Sequence, residues 1–154
     1  VRKQALEIVD DHLWRDADKL RQEAHKVALL PGRGIEAYRA ALAKAQQANA
    51  LDPNNWRIVG ILGMAQYRAG LYEETLTAFK RVAELRANEG AEVREPVSSA
   101  FVAMALHQLG RVDEAKSTLE KLRALHKEDE RIAKGAVPKA LLAEAEGLIE
   151  GKKP

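Results

Sequence analysis

The side chains that could do chemistry in this chain are scattered rather than grouped. None of the four histidines has a second histidine three or four residues away, and there is no cysteine, so the usual zinc-binding spacings are missing. The serines have no general base at a recognisable spacing, and no pair of carboxylates suggests acid–base catalysis. We therefore expect no catalytic residue, no metal site and no cofactor-binding residue. The residues considered are His12, His25, His107, His126, Ser98, Ser99 and Ser117.

Two arginines and one glycine-rich segment are the remaining candidates for binding chemistry. Arg57 and Arg68 lie on one face of a predicted helix near Tyr67 and could meet an acidic ligand, although solvated surface arginines would show the same spacing. The segment PGRG at 31–34 suggests a phosphate-binding loop, but it lacks the Lys-Ser/Thr pair of such loops and no strand precedes it. We interpret it as a turn between helices. His107 could be a pH-sensitive contact or a histidine satisfied by its neighbours.

The composition excludes several classes of partner. The formal charge is +2 and acidic and basic residues intermix along the chain, so we expect no nucleic-acid binding. The longest apolar stretch, residues 101–106, is too short to span a bilayer, so we expect no membrane partner. The chain begins with Val1 rather than methionine, which we interpret as a sign of an excised fragment. The sequence does not determine the compartment, but it favours a soluble, cytoplasmic protein.

The elements that position these residues come from an internal repeat. Residues 62–85 and 102–125 share one pattern of apolar and small positions at an offset of about forty residues. Such a repeat predicts helical units that bury their apolar faces by stacking on one another. The matched pairs are Leu62/Val102, Gly63/Ala103, Met64/Met104, Ala65/Ala105, Gly70/Gly110, Tyr72/Val112, Thr75/Ala115, Phe79/Leu119, Val82/Leu122 and Leu85/Leu125.

Helical periodicity and turn residues predict the boundaries of these units. Gly70 and Gly110 each end the first helix of a pair, because glycine takes the left-handed conformation that a helix C-terminus often needs. The polar segment 126–136 is predicted to be partly irregular. Small residues at Gly63 and Ala65 mark a close approach of two helices. The predicted helices are 56–68, 72–86, 96–109, 113–126 and a terminal helix at 137–150.

An apolar stripe of nearly thirty residues precedes the first complete hairpin. One long helix or two helices broken near residues 14–16 would both produce this stripe, and we favour the break because Asp16 can cap a new helix. A second-helix pattern then follows from Tyr38 to Leu51. Its partner helix is degenerate, because the turn segment at 31–34 falls where that helix would run.

These residues resemble the tetratricopeptide repeat (TPR), a helix-turn-helix unit of about 34 residues. Thr75 departs from the family pattern at a small position, and Gln66 stands where a tyrosine is usual. The first unit lacks the Leu-Gly pair. The matching residues are Leu62, Gly63, Gly70, Tyr72 and Phe79, with DPNN at 52–55 resembling the linker between repeats and DEA at 113–115 typical of a second helix.

The resemblance implies an all-α fold, a right-handed stack of antiparallel helical hairpins (an α-solenoid) with a terminal capping helix. The run LGMAQYRAG also resembles repeats at the ends of large bacterial proteins that carry Ser/Thr kinase or WD40 domains. We expect a single domain over residues 1–154. Its parts are an N-terminal helical region at 1–30, a degenerate repeat at 34–55, repeats at 56–89 and 96–129, and a capping helix at 137–150.

The family's ligand groove is lined by fixed positions of each first helix. Members that bind a C-terminal carboxylate use lysine and asparagine there, but the matching positions are Gly60 and Met64, so that clamp is absent. A groove with methionine and tyrosine suits an apolar helix or extended segment better. The groove residues implied by the resemblance are Arg57, Gly60, Met64, Tyr67, Arg68, Val97, Ala100, Met104, His107 and Gln108.

The alternative is that Met64 and Met104 pack against the chain's own terminal helices. Replacing either by glutamate distinguishes the two cases, since an open groove would lose binding and keep its helices, whereas a filled one would lose its fold. The leading functional expectation is a protein–protein interaction module, a scaffold that binds a peptide or helix. The other is a regulatory or self-associating appendage of a larger protein such as a Ser/Thr kinase. We do not expect an enzyme.

Overall fold

The computed structural model describes the backbone over residues 2–90 and 95–151, and the side chains from residue 12 onward within those ranges. All regular secondary structure in these ranges is helical, which confirms the all-α class. The eight helices are α1 (Arg2–Ala28), α2 (Ile35–Leu51), α3 (Trp56–Arg68), α4 (Tyr72–Asn88), α5 (Pro96–Gln108), α6 (Val112–Glu128), α7 (Glu130–Lys134) and α8 (Ala136–Glu150).

The helices pack in chain order as three hairpins, followed by the short helix α7 and the final helix α8. The hairpins are α1/α2, α3/α4 and α5/α6, and each second helix also contacts the first helix of the next hairpin. The first helices contact one another as well, α1 against α3 and α3 against α5, and α8 continues this row by packing on α5. The surface formed by α1, α3 and α5 is called the first-helix face below. Within the described ranges, no helix has the length and apolar character needed to cross a bilayer.

The two complete hairpins turn in the same way, as the repeat predicts. Gly70 and Gly110 have φ of 84° and 77°, which only glycine adopts without strain. The amide of Leu71 donates to the Gln66 carbonyl at 2.8 Å, and the amide of Arg111 donates to that of Leu106 at 2.9 Å. These bonds are those of a Schellman motif, which satisfies the last carbonyls of α3 and α5.

Small residues let α3 and α4 approach closely. A Cβ atom added to Gly63 would lie 2.9 Å from the Phe79 ring and 3.2 Å from the Ala78 Cβ, so only glycine fits. Thr75 occupies a fully buried position on α4. Its hydroxyl lies 2.8 Å from the carbonyl oxygen of Leu71 and 3.3 Å from that of Gly63, so its one polar atom is satisfied.

The break expected near residues 14–16 is wrong, because α1 runs without interruption from Arg2 to Ala28. Asp16 lies inside the helix, and the Asp18 carboxylate accepts bonds from Arg21 at 2.8 Å and Gln22 at 2.6 Å, which link successive turns. Ala17 is buried in a small cluster with Ala48 and Ile58, on the side of α1 that faces the array. The C-terminal half of α1 is therefore the partner helix that α2 lacked in the sequence pattern.

The remaining boundaries differ from the predictions by at most three residues, apart from the connectors. The segment 31–34 is a turn, as interpreted, and the Tyr38 hydroxyl ties it down by donating to the Leu30 carbonyl and accepting from the Arg33 amide, each at 3.1 Å. The short helix α7 forms inside the segment expected to be partly irregular, with the Asp129 side chain capping it through the Arg131 amide. Residues 91–94 of the long connector lie outside the described residues.

Candidate functional site

The residues predicted to line a groove lie side by side on α3 and α5, but they are not equally accessible. Ala100 and Met104 are fully buried, and Met64 and Tyr67 are nearly so. Gly60, Arg68 and His107 are partly exposed to solvent when the whole residue is counted, whereas Arg57 and Gln108 are exposed. The predicted line of residues is therefore divided into a covered half near the C-terminal ends of α3 and α5 and an open half near their N-terminal ends.

Arg68 lies at the centre of the covered half. Its Nε donates to the Ala28 carbonyl at 3.0 Å, and Nη2 donates to the Leu29 carbonyl at 3.2 Å. Nη2 also donates to Glu144 Oε2 at 3.0 Å, and Nη1 pairs with Oε1 of the same carboxylate. The Arg68 side chain is only 5% exposed, so it is neither a solvated surface group nor open to an external acid in this structure. It joins α1, α3 and α8 at one point.

Helix α8 covers this half of the first-helix face. Leu141 and Ala145 of α8 are buried in the same core cluster as Met104. Burial raises the pKa of Tyr67 to about 12, against an opposing hydrogen bond with Gln108, so the phenol stays neutral at physiological pH. Here the alternative holds: the chain's own terminal helix packs over the predicted groove.

His107 lies at the edge of the covered half. It is partly buried, and its Nδ1 has no hydrogen-bond partner among the described residues. Nothing nearby provides the carboxylate or second histidine of a metal site, and no three histidine or acidic side chains converge among the residues that the structure describes. His107 therefore stays an untested candidate for a polar contact.

The open half holds a pocket of about 200 Å³, here called the α3–α5 pocket. Its floor is apolar and reaches between α3 and α5 down to α4. Its rim carries the charged and aromatic groups. The lining residues are Arg21 and His25 from α1, Trp56, Arg57, Gly60, Ile61 and Met64 from α3, Phe79 and Val82 from α4, and Glu95, Val97 and Ser98 at the start of α5.

The start of α3 places Trp56 and Arg57 on the rim. Asn55 caps α3 by accepting from the Arg57 amide at 3.1 Å, and its own amide is held by Asp52 at 2.9 Å. The Trp56 indole donates to Glu89 at 3.1 Å. The helix cap and the indole bond therefore fix the first turn of α3 against the end of α4.

Arg57 is a cation at this rim that has no ion-pair partner among the described residues. Its guanidinium lies 4.4 Å from the centroid of the Trp56 ring, and no carboxylate among the described residues pairs with it. Arg86 also lies over Trp56, at 4.7 Å, but it is ion-paired with Glu95. Arg57 can therefore donate bidentate hydrogen bonds to an incoming carboxylate while its flat face rests on the indole.

The α1 side of the pocket carries little free charge. Arg21 pairs with Asp18 at 2.7 Å. Burial, and then the nearby Arg21 charge, lower the pKa of His25, which favours the neutral imidazole at physiological pH. Arg57 thus gives this pocket a local positive character on an otherwise apolar floor.

Sequence reasoning missed several residues that matter here. Trp56 begins the helix predicted at 56–68, and its place on the rim follows from its contact with Arg57. Arg21 and His25 reach the pocket only because α1 continues alongside α3. Glu144 gave no signal at all, since an acidic residue on a terminal helix is ordinary in sequence.

Two broader, open grooves lie at equivalent positions of the repeat, and the one beside α4, α5 and α6 shares Phe79, Val82, Glu95 and Ser98 with the α3–α5 pocket. The volumes are about 510 Å³ beside α2, α3 and α4 and about 450 Å³ beside α4, α5 and α6. Five pairs of lining residues are related by the same offset, so these grooves follow from the stacking itself. The pairs are Val59/Ser99, Leu62/Val102, Gln66/Leu106, Glu74/Glu114 and Ala78/Thr118.

Comparison with known proteins provides no relative from which a function could be inferred, so the fold and the pocket are the basis for the functional proposal. No protein-family model matches this chain, and no curated protein matches it either.

Proposed function

We propose that this chain is a TPR-like helical-repeat module that binds a protein partner through the α3–α5 pocket. The TPR assignment is supported by the two hairpins with equivalent glycine turns, the Gly63 contact with α4, and the residues that resemble the family's motif. We further propose that the hairpins stack in a right-handed sense. The role we infer is binding rather than catalysis.

One observation carries the proposal: Arg57, which is exposed and has no ion-pair partner among the described residues, stands at the rim of an apolar pocket. An engineered apolar cavity of about 150 Å³ holds a benzene molecule, so a pocket of about 200 Å³ suits one aliphatic or aromatic side chain. Met64 and Val97 would contact that side chain. The preferred ligand is therefore an extended or helical segment with one large apolar residue and an acidic residue beside it.

Two substitutions test the site from different directions. Arg57→Glu removes the cation, and Gly60→Met places a flexible side chain in the pocket at a position where an added Cβ meets only Val82, at 3.8 Å. Arg131→Glu is the matched control, because Arg131 is on α7 and its side chain is 94% exposed. All three should keep the helical circular dichroism of the parent chain.

The binding assay starts from a random peptide library selected on the unmodified chain. We expect enrichment of peptides with an acidic residue next to a large apolar one, and about tenfold weaker binding to Arg57→Glu and Gly60→Met in titration calorimetry, with Arg131→Glu unchanged. Selected peptides that bind both pocket variants as tightly as the parent would overturn the proposal.

Self-association is the second candidate, and it would suit an appendage of a larger protein such as a Ser/Thr kinase. Leu13, Trp14 and Leu51 are all exposed, Trp14 by 55%. Leu13 lies one turn before Ala17 and Leu51 nearly one turn after Ala48, and these two alanines pack together, so the exposed side chains lie at the same end of the first hairpin. Light scattering tests this: self-association predicts a mass that rises with concentration and is lowered by Trp14→Gln, whereas a monomer throughout excludes it.

A further inference from the structure

We infer that α8 is an internal ligand of the first-helix face, and that the site beneath it accepts an amphipathic helix with a carboxylate in the place of Glu144. This inference rests on the proposed function, in that both place partner binding on this face. It adds a second contact point, the kind of partner that fits it, and the element that regulates access.

The contacts of α8 resemble those of a bound helix. Its buried side chains are Leu141, Ala145 and Ile149, which recur about one turn apart along one stripe. Two arginines hold its polar side: Arg68 of α3 binds Glu144, and Arg123 of α6 binds Glu146 and Glu150 at 2.8 and 2.7 Å. An apolar stripe with flanking charge contacts is how an amphipathic helix binds in a groove.

The connection of α8 to the array is weakly packed. The preceding helix α7, Glu130–Lys134, has no buried residue. Gly135 ends α7 and begins α8, and it provides no side-chain cap. Segments with few buried contacts open at lower free energy than the core. α8 can therefore detach at this joint while the three hairpins stay packed.

The surface beneath α8 is a preformed carboxylate receptor. The carbonyl groups of Ala28 and Leu29 hold Arg68 independently of α8, at 3.0 and 3.2 Å. The guanidinium also lies over the Phe101 ring at 5.1 Å. When α8 leaves, Arg68 keeps this orientation and loses only its bonds to Glu144. A nearly buried cation strongly favours a partner that supplies a carboxylate in return.

The partner is therefore defined by the chemistry of α8. A matching helix carries an acidic residue for Arg68, an apolar residue three positions earlier, as Leu141 precedes Glu144, and a small residue one position later, as Ala145 follows it. A helix without the acidic residue would leave the Arg68 charge buried and unpaired. The internal α8 competes with any such partner at the high effective concentration of a tethered segment.

The test uses the full chain and a labelled synthetic peptide of residues 135–151, GAVPKALLAEAEGLIEG, followed by fluorescence anisotropy. Glu144→Gln in the protein weakens the internal contact, so it should bind the peptide at least tenfold tighter than the parent chain. Arg68→Gln combined with Glu144→Gln should lose that gain. Glu36→Gln, an exposed substitution on α2, is the matched control and should behave as the parent.

A second peptide with glutamine in place of its own Glu144 separates the carboxylate from the apolar stripe. It should lose most of its binding to the Glu144→Gln protein and should bind the double variant no worse than the original peptide does. Hydrogen exchange provides an independent measurement on the parent chain. We expect the α8 amides to exchange faster than those of α3 and α5.

Equal peptide binding by the parent and by Glu144→Gln, or α8 amides that exchange only as slowly as those of α5, would overturn the inference. Arg57→Glu separates this outcome from a failure of the proposed pocket. Because Arg57 and Arg68 lie at opposite ends of α3, Arg57→Glu should not change binding of the α8 peptide. Loss of library-peptide binding alone therefore reports on the pocket, and loss of α8-peptide binding alone reports on the Arg68 site.

Discussion

Gly60 and Gly63 are three residues apart on α3 and have different surroundings. A Cβ atom on Gly60 would meet only Val82, at an ordinary 3.8 Å, whereas on Gly63 it would come within 2.9 Å of the Phe79 ring. Glycine in a helix interior is less stable than alanine by about 0.5–1 kcal/mol. We therefore predict that Gly60→Ala raises the free energy of unfolding by about that amount.

Gly63→Ala, on the same helix, should instead lower the free energy of unfolding. The added methyl group must displace Phe79 or Ala78, and overpacking of this kind costs about 1–3 kcal/mol. Urea unfolding of the two variants measures both effects. Two changes of the same sign would show that the spacing between α3 and α4 described above is incorrect.

His126 makes stability depend on pH. It is partly buried on α6 and its Nε2 has no partner among the described residues. Burial lowers its pKa below the ordinary 6.5, with Glu146 partly opposing that shift, and burial lowers the pKa of His25 in the same direction. The unfolded chain then binds more protons than the folded one as the pH falls through 6.5, so the folded state loses stability in that range.

We predict a lower melting temperature at pH 5.5 than at pH 7.5 (conditions chosen about one unit either side of the ordinary histidine pKa). His126→Gln should reduce this difference, and His25→Gln combined with it should reduce it further. The acidic groups with lowered pKa, such as Asp18 and Glu23, titrate below this window. An undiminished difference in the double variant would assign the pH dependence to other groups.

At the scale of elements, α5 is enclosed by four neighbouring helices. It contacts α3, α4, α6 and α8, and its buried residues run almost continuously from Ala100 to Leu106. A helix that is apolar on every side is a core helix. This position explains why Met104 is packed against the chain itself rather than offered to a partner.

Met104→Ala should therefore lower the free energy of unfolding by about 2–5 kcal/mol, the range for truncation of a buried methionine. Val112→Ala is the control, because Val112 is 40% exposed at the start of α6 and should cost much less. Denaturant titration measures both. Met104→Glu should unfold the chain, and a folded, helical Met104→Glu variant would show that this part of the face is open after all.

The sequence predicts an element well when the contacts that determine it join residues close together in the chain. Gly70 and Gly110 end α3 and α5 through bonds within six residues, so the sequence predicts these turns well. The break near Asp16 was wrong because a possible cap cannot be distinguished from a helix-interior carboxylate without knowing that Ala17 packs on α2. The pairing of α1 with α2 as a hairpin could not be predicted for the same reason, because it depends on the contact between Ala17 and Ala48.

Across the whole molecule, the division of the first-helix face could not be predicted. Repeat register places Met64 and Met104 in equivalent positions, yet α8 packs on α5, which carries Met104, whereas Met64 of α3 lines the α3–α5 pocket. The packing of α8 on this face includes the Arg68–Glu144 pair, which joins residues 76 apart in sequence. The repeat therefore predicts a binding face in general terms, and the packing of the last helix decides where a partner can reach it.

The central claim is that Arg57 and the apolar floor beside it recognise an acidic, apolar segment. A charge exchange tests it most directly: titration calorimetry of the parent and Arg57→Glu against a selected peptide and the same peptide with lysine in place of its acidic residue. We predict that the parent prefers the acidic peptide by about tenfold, equivalent to about 1.4 kcal/mol, and that Arg57→Glu reverses the preference. An unchanged preference in Arg57→Glu would contradict the claim.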